Sequence, residues 1–226
     1  MSKFYIIGTP IGNLEDMTFR AVRILKEVDL VLCEDTRVTK KLLDKYEIKT
    51  PTLSYHQHSK ISKIEKIFDL MKEGKNLALV SDAGTPTISD PGSVLVSKIR
   101  GEFGNDVEVL VVPGPSALIS ALSGSGFTAD QFLFLGFLPH KKGRETLFKE
   151  IAETKRTVAF YESPHRIIKT LNSLNEFVGD RKIMIARELT KIYEEIVSGT
   201  AGELLKYFEG NPVKIKGEFV VVVSNK

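Results

Sequence analysis

The chain has 226 residues, 42% of them hydrophobic and 27% charged, a balance that excludes disordered and fibrous proteins. A single cysteine, Cys33, excludes a disulfide framework or cysteine-rich zinc module within the chain and favours a reducing compartment, so we expect a cytoplasmic protein. The net charge of +3 tolerates an anionic partner without requiring one, and no apolar stretch reaches the ~18 residues of a membrane span.

The first half of the chain alternates predicted strands and helices. Strands are predicted over 3–8, 29–33, 77–80 and 107–112. One helix is indicated by the three-to-four spacing of Phe19, Val22 and Leu25, and two more over 61–71 and 93–100. Short apolar strands separated by helices predict a largely parallel sheet covered on both faces.

The second half is set apart by Pro113, Gly114 and Pro115, which cannot continue a central strand and mark the predicted boundary between domains 1–113 and 114–226. Beyond it the pattern predicts helices over 116–122, 144–154, 167–177 and 203–208. It predicts strands over 132–137, 157–161, 182–186, 192–197 and 218–223. We therefore expect two α/β domains with an interdomain cleft, a place where ligands often bind.

Several motifs do not carry the chemistry that they suggest. Residues 124–129 (GSGFTA) have dinucleotide-like spacing, but they follow a helix and precede a strand, the reverse of the Rossmann order. The chain has no Gly-Lys-Ser/Thr phosphate loop and no Gly-x-Ser-x-Gly elbow. His56 and His58 lack a third spaced ligand, so no metal site is predicted.

Two loops are better candidates for a site. Residues 81–92 contain glycines, prolines and two carboxylates at the end of a buried strand, and 33–37 end another strand at the same edge if the strands are parallel. Two charged clusters facing each other justify a site hypothesis. In 8–12, Pro10 removes a backbone donor, which leaves a tight turn and a rigid ligand loop as open alternatives.

These loops belong to motifs spread over nearly the whole chain. They are 5–14 (YIIGTPIGNL), 33–37 (CEDTR), 54–58 (SYHQH), 81–86 (SDAGTP), 88–92 (ISDPG), 113–117 (PGPSA), 134–139 (FLGFLP), 161–166 (YESPHR), 186–191 (ARELTK) and 217–220 (GEFV). Together they resemble the tetrapyrrole methylase superfamily, and 33–37 and 161–166 resemble its ribosomal RNA small subunit methyltransferase I branch.

The resemblance implies a homodimeric two-domain enzyme that binds S-adenosyl-L-methionine between its domains. It would methylate the ribose 2′-oxygen of a cytidine in the decoding region of small-subunit (16S) ribosomal RNA, as free RNA or in the 30S subunit. Members usually carry a further C-terminal helical segment, whereas this chain ends just after the strand predicted over 218–223.

The resemblance also implies site residues. The predicted cofactor contacts are Pro10, Asp82, Ala83, Gly84, Thr87, Ile88, Ser116 and Ala117 from the first part of the chain, and Ala186, Gly217 and Glu218 from the second. Small residues there allow close backbone approach, and a carboxylate can hold ribose hydroxyls or an amino group. For Ser116 and Ala117, simple helix packing stays open as an alternative.

Charged residues past other strand ends are the candidates for catalysis and RNA binding. A ribose hydroxyl needs a base or a cation beside it, and we predict Arg37, Glu162 and Arg187 as catalytic, with ion pairing as the open alternative. We predict phosphate contacts by Lys141, Lys142, Arg144 and Arg166, with a solvated helix start as the alternative for the cluster 140–144.

Two other functions stay open on the sequence alone. One is a tetrapyrrole (precorrin-type) C-methyltransferase of the same fold. The other is a non-catalytic RNA-binding factor in ribosome assembly.

Overall fold

The computed structural model describes residues 1–56 and 61–226. The chain divides into two compact units, Met1–Ser116 and Ala117–Lys226. The boundary lies after Ser116, whereas the sequence prediction places it after Pro113. The cleft expected between the two halves stays a prediction.

Unit 1 contains five strands and four helices in the described residues. The strands are β1 (Ser2–Ile7), β2 (Leu30–Cys33), β3 (Thr52–Ser54), β4 (Leu77–Leu79) and β5 (Val107–Val112). The helices are α1 (Phe19–Glu27), α2 (Thr36–Lys45), α3 (Ile61–Lys72) and α4 (Ser93–Phe103). The strands form one sheet in the order β3-β2-β4-β1-β5 with every pairing parallel, which confirms the predicted parallel sheet.

The two faces of this sheet have separate apolar cores. Residues of α1 and α2, such as Leu25 and Leu43, pack on one face, and residues of α3 and α4, such as Ile67 and Ile99, pack on the other. The neighbouring strands β1 and β4 are thus followed by helices on opposite faces. In open α/β sheets, ligands bind in the crevice that this arrangement leaves at the carboxyl ends of the strands.

Unit 2 contains five strands and four helices in the described residues. The helices are α5 (Ala117–Ser125), α6 (Arg144–Glu153), α7 (Ile167–Phe177) and α8 (Ala201–Gly210). The strands are β6 (Phe132–Phe137), β7 (Thr157–Glu162), β8 (Ile183–Arg187), β9 (Glu195–Gly199) and β10 (Phe219–Val223). Their order is β6-β7-β10-β8-β9, with β6 and β7 parallel and the other pairs antiparallel, so the sheet of unit 2 is mixed and the expected second α/β domain is confirmed.

The core of unit 2 also has two sides. Helices α6, α7 and α8 cover one face through Phe148, Leu171 and Phe208, and α5 covers the other through Leu118 and Leu122. Among the described residues, no helix combines the length and the apolarity needed to cross a membrane.

Three details of the sequence prediction are wrong. Helix α2 and strand β3 were not predicted, and Phe19 is 97% exposed although it was assigned to the buried stripe of α1. The other residues that the sequence assigns to this stripe fit it: Ala21, Ile24, Leu25 and Val28 are buried, and Val22 is partly buried.

Candidate active site

Three loops at the carboxyl ends of the unit 1 strands, those after β1, β4 and β5, are hydrogen-bonded together. We use the name carboxyl edge for these three loops together with residues 33–37. The Thr9 N–H donates to the Gly84 carbonyl (2.8 Å), and the Gly84 N–H donates to the Thr9 carbonyl (3.0 Å). The Thr85 hydroxyl donates to the Pro115 carbonyl (3.3 Å). The loops after β1, β4 and β5 therefore form one connected platform.

The segment after β5 packs closely on the loop after β1. A Cβ added to Gly114 would lie 2.7 Å from the Gly8 carbonyl oxygen, so any larger residue would push the two loops apart. The predicted hinge at 113–115 is thus partly fixed to the loop that begins with Gly8.

The charged loops after β2 and β4 also meet, as the parallel arrangement requires. The Asp35 N–H donates to Asp82 Oδ1 (3.1 Å). Asp35 caps α2 by accepting from the Arg37 N–H (2.8 Å), and it pairs with the Arg37 guanidinium (2.6 Å). Hydrogen bonds from Arg37 hold the pKa of Asp35 well below its usual value. The Arg37 side chain itself is largely exposed.

A second carboxylate in the 81–92 loop was not singled out from the sequence. The pKa of Asp90 is raised to about 6, chiefly by burial and also by the charges of Glu34 and Asp82, against an opposing hydrogen bond with Ser81. The loop also holds Thr87 and Ser89 at φ values of 75° and 60°, where residues other than glycine are strained. The only sequence signal was the position of Asp90 between a serine and a proline in a loop already suspected.

The predicted cofactor residues of unit 1 lie on this platform. Pro10 is buried beside the Thr9–Gly84 bridge, Asp82 and Ala83 are exposed next to it, and Ile88 is exposed further along the same loop. Thr87 adjoins Ile88, and Ser116 ends unit 1 just beyond the platform. Ala117 is the first residue of α5 in unit 2.

The predicted cofactor residues of unit 2 form a separate cluster. Ala186 is buried in β8 opposite Val220. The Glu218 N–H donates to Glu188 Oε1 and the Glu188 N–H donates to the Glu218 carbonyl, both at 2.9 Å. A Cβ on Gly217 would lie 2.3 Å from the Glu188 carboxyl group, so only glycine fits there.

Glu162 lies in a buried polar network of unit 2. Its side chain is 1% exposed, its Oε1 pairs with the Arg166 Nε (2.7 Å), and its Oε2 accepts from the Thr170 hydroxyl (2.6 Å). Arg144 donates to the same hydroxyl (2.7 Å). Because protein donors engage both carboxylate oxygens, the geometry favours the ion-pair alternative for Glu162.

Arg187 is also enclosed by unit 2. Its guanidinium donates to the Tyr193 carbonyl (3.0 Å), and its Nε lies 3.5 Å from Glu195 Oε2. Neither the Nε nor that oxygen has a hydrogen-bond partner within the described part of the chain. Ion pairing is favoured here too, and the catalytic roles of Arg37, Glu162 and Arg187 stay predictions.

The structure separates the four predicted RNA contacts. Lys141 and Lys142 are exposed in the loop before α6. Arg144 is 7% exposed and donates to Thr170 and to the Pro139 carbonyl, while Arg166 donates to the Leu138 carbonyl (2.7 Å) and pairs with Glu162. The two arginines thus fix the start of the lysine loop through hydrogen bonds to its backbone carbonyls. Of the four residues, only the two lysines expose their charge to solvent.

No group of three or more His, Cys, Asp or Glu side chains suited to a metal ion occurs in 1–56 and 61–226. Of the two histidines considered in the sequence, His56 is described and His58 lies outside the described residues.

Comparison with known proteins identifies the class of fold. The family model described as Tetrapyrrole (Corrin/Porphyrin) Methylases matches residues 3–205. Among solved structures, the methyltransferase CobJ superposes with a TM-score of 0.71 at 18% identity, over 100% of this chain and 95% of its own. A Thermus thermophilus uroporphyrin-III C-methyl transferase complexed with S-adenyl homocysteine gives a TM-score of 0.65 at 18% identity, over 98% and 97%.

Closer relatives specify the branch. A protein named Ribosomal RNA small subunit methyltransferase I from Thermotoga maritima is 49% identical over 226 residues, with both chains covered completely. The protein of the same name from Bacillus subtilis is 48% identical over 99% of this chain and 75% of its own length. The chain therefore belongs to the tetrapyrrole methylase family, in the branch of these ribosomal RNA small subunit methyltransferase I relatives.

Proposed function

We propose that this protein transfers a methyl group from S-adenosyl-L-methionine to the ribose 2′-oxygen of a cytidine in the decoding region of small-subunit (16S) ribosomal RNA. The observation that carries the proposal is the 49% identity to the Thermotoga maritima relative over the full length of both chains. Its substrate, free RNA or the 30S subunit, would make it a cytoplasmic protein without a membrane partner.

The carboxyl edge of unit 1 supports the cofactor assignment. It combines the neighbouring strands β1 and β4, whose following helices lie on opposite faces, with the exposed residues Asp82 and Ala83 and the carboxylates of Asp82 and Asp90. Carboxylates suit the amino group and ribose hydroxyls of S-adenosyl-L-methionine, and small residues admit its bulk. When bound, this cofactor supplies a methyl group already activated by its sulfonium, so the chain's own residues have to position and orient the acceptor.

The residues proposed to act on the acceptor are Arg37 at the carboxyl edge and the exposed lysines of unit 2. An exposed guanidinium can stabilise an oxygen that becomes anionic as it loses its proton. We propose that Lys141 and Lys142 bind backbone phosphates, and their exposure in a loop held by Arg144 and Arg166 supports this. In unit 2 we keep Ala186, Gly217 and Glu218 as proposed cofactor contacts.

We also propose that the protein is a homodimer. Strand β9 is an edge strand of the unit 2 sheet, and the turn before it exposes Ile192 and Tyr193. An edge strand can pair with its own copy across a two-fold axis and bury such side chains. Light scattering of the chain and of an Ile192→Asp/Tyr193→Asp variant tests this, with a monomeric parent as the contrary result.

The decisive experiment uses 30S subunits and free 16S RNA from cells that lack this protein. We expect a labelled methyl group to pass from S-adenosyl-L-methionine to one cytidine ribose, located by mass mapping of RNA fragments. Transfer to a porphyrinoid ring instead would identify a tetrapyrrole methyltransferase. RNA binding without measurable cofactor affinity in calorimetry would identify an assembly factor.

A further inference from the structure

A polar groove lies in unit 1 between α2 and the segment that leads into β3. Its volume is about 440 Å³, within the range of ligand pockets. Its polar lining consists of three cations, Arg37, Lys40 and Lys49, one carboxylate, Asp44, and the hydroxyl groups of Thr36, Thr50 and Thr52. This lining suits an oxyanion better than an apolar ligand.

Positive charge is clustered on the segment of chain that carries this groove. Residues 36–52 contain five lysines and arginines against two acidic residues, a net charge of +3. The complete chain also has a net charge of +3, so the remaining residues sum to zero. A clustered positive charge on an otherwise balanced protein is the electrostatic pattern of a nucleic-acid contact.

The two lysines of the lining are weakly engaged by the protein itself, whereas Arg37 is paired with Asp35. Lys40 pairs with Asp44 at 3.4 Å in an exposed i,i+4 contact, which contributes little and is easily exchanged for a ligand. Lys49 has no carboxylate within ion-pair distance in the described ranges 1–56 and 61–226. Both ammonium groups are therefore available to an anion.

The groove adjoins the carboxyl edge. Helix α2 begins directly after Asp35, whose N–H is bonded to Asp82 at 3.1 Å, and Arg37 belongs to both the groove and the edge. A chain of phosphates that reaches the loop of Asp82 can continue along α2 past Lys40 and Lys49.

We infer that this groove binds the phosphodiester backbone of the RNA substrate beside the nucleotide that is methylated. The inference rests on the proposed function, since it names a second contact surface for the same substrate. Lys40 and Lys49 form ion pairs with successive phosphates, and the threonine hydroxyls supply neutral contacts.

The test compares two double variants with equal loss of charge on the same stretch of chain. Lys40→Ala/Lys49→Ala removes the groove cations, whereas Lys41→Ala/Lys45→Ala removes two exposed lysines of α2 that do not line it. Binding of each protein to unmethylated 30S subunits and to free 16S RNA is measured across a salt series. The groove variant should bind about tenfold more weakly, with a log–log salt slope lower by about two, while the control keeps the parent slope.

Equal losses of RNA affinity in both variants, or no loss in either, would overturn the inference that the groove binds RNA. Equal losses would show only a general electrostatic attraction by the lysines of this segment. Thermal melts verify that both variants stay folded. Methyl transfer by the parent is measured in parallel. If the parent methylates RNA and the groove variant binds RNA normally, the inference about the groove is wrong and the proposed function stands. If the parent binds RNA through the groove but transfers no methyl group, the proposed function alone fails.

Discussion

The ionisation of Asp90 links the carboxyl edge to stability. Burial raises the pKa of Asp90 from 3.8 to about 6, so between these values the folded protein keeps a proton that the unfolded chain has lost. The free energy of unfolding should therefore fall as the pH rises through this window, by about 1–2 kcal/mol once solvent screening of the partly exposed Asp90 is allowed for.

Asp90→Asn should remove that dependence. Above about pH 6 the variant should be more stable than the parent, and below about pH 3 the two should be equal, because the parent carboxyl is then protonated in both states. Urea unfolding of both proteins at several pH values gives the difference directly. A difference that does not change with pH would show that Asp90 is not the group concerned.

Glu162 should act as a structural residue. Its replacement in Glu162→Gln leaves the partly buried Arg166 without its counter-charge, which costs up to about 3–5 kcal/mol when a pair is fully enclosed. We expect a clearly lower melting temperature with a near-normal methyl-transfer rate at temperatures where the variant is folded. The exposed pair of Glu145 and Lys149 offers the control, since Glu145→Gln should leave the melting temperature unchanged. A slow but fully stable Glu162→Gln protein would instead support the catalytic assignment.

The sequence shows where these charged groups lie along the chain, but it does not show whether each side chain is buried or exposed in the fold. The sequence indicated that 81–92 and 33–37 share one edge, because strand direction follows from the alternating pattern. It could not show that Glu162 and Arg144 are buried together through Thr170, since that contact joins residues far apart in the chain. Burial decides between a solvated charge and an ion pair, and burial depends on tertiary packing.

The proposed cofactor-binding role of the loop after β4 can be tested by separating the charge of Asp82 from its hydrogen bond. Asp82→Asn keeps an oxygen for the Asp35 N–H, whereas Asp82→Ala loses both. If the charge holds the cofactor, both variants should bind S-adenosyl-L-methionine about tenfold more weakly in calorimetry, and only the alanine variant should also melt earlier. Unchanged affinity in both would remove Asp82 from the site.

The two exposed lysines in the loop before α6 are proposed to contact RNA phosphates, and this can be tested by removing them. Lys141→Ala/Lys142→Ala should lower the salt slope of RNA binding by about two and leave cofactor binding intact. Lys169→Ala/Lys206→Ala, with the same charge change on exposed positions of α7 and α8, is the matched control. Arg144 is left out of the variant because its loss would disturb the buried network around Glu162. An unchanged salt slope would show that the two lysines belong to a solvated helix start and do not bind RNA.

The elements missed from the sequence have a common cause. In α2 the buried residues are only Thr39, Leu42 and Leu43, and the charged residues around them hide the helical period. Strand β3 has three residues at the edge of the sheet, too short for an alternating pattern. Phe19 satisfied the spacing of an apolar stripe, but the packing of α1 places it outside the core.

For the whole molecule, the separate cores of the two units have a testable consequence. The helices and strands of unit 2 bury Phe148, Phe160, Leu171 and Val221 completely or nearly so among residues of the same unit. A compact unit of this size with its own core is able to fold independently.

We therefore expect the fragment 117–226 to unfold in one cooperative transition, at a lower temperature than the full chain because it loses any stabilisation from unit 1. Circular dichroism melts and urea titrations of the fragment measure this. Fragment 1–116, which carries the Asp82 loop, serves as the comparison for cofactor binding by calorimetry. A fragment 117–226 that lacks a cooperative transition would mean that its core requires the other unit, and that the two units form one folding domain despite their separate sheets.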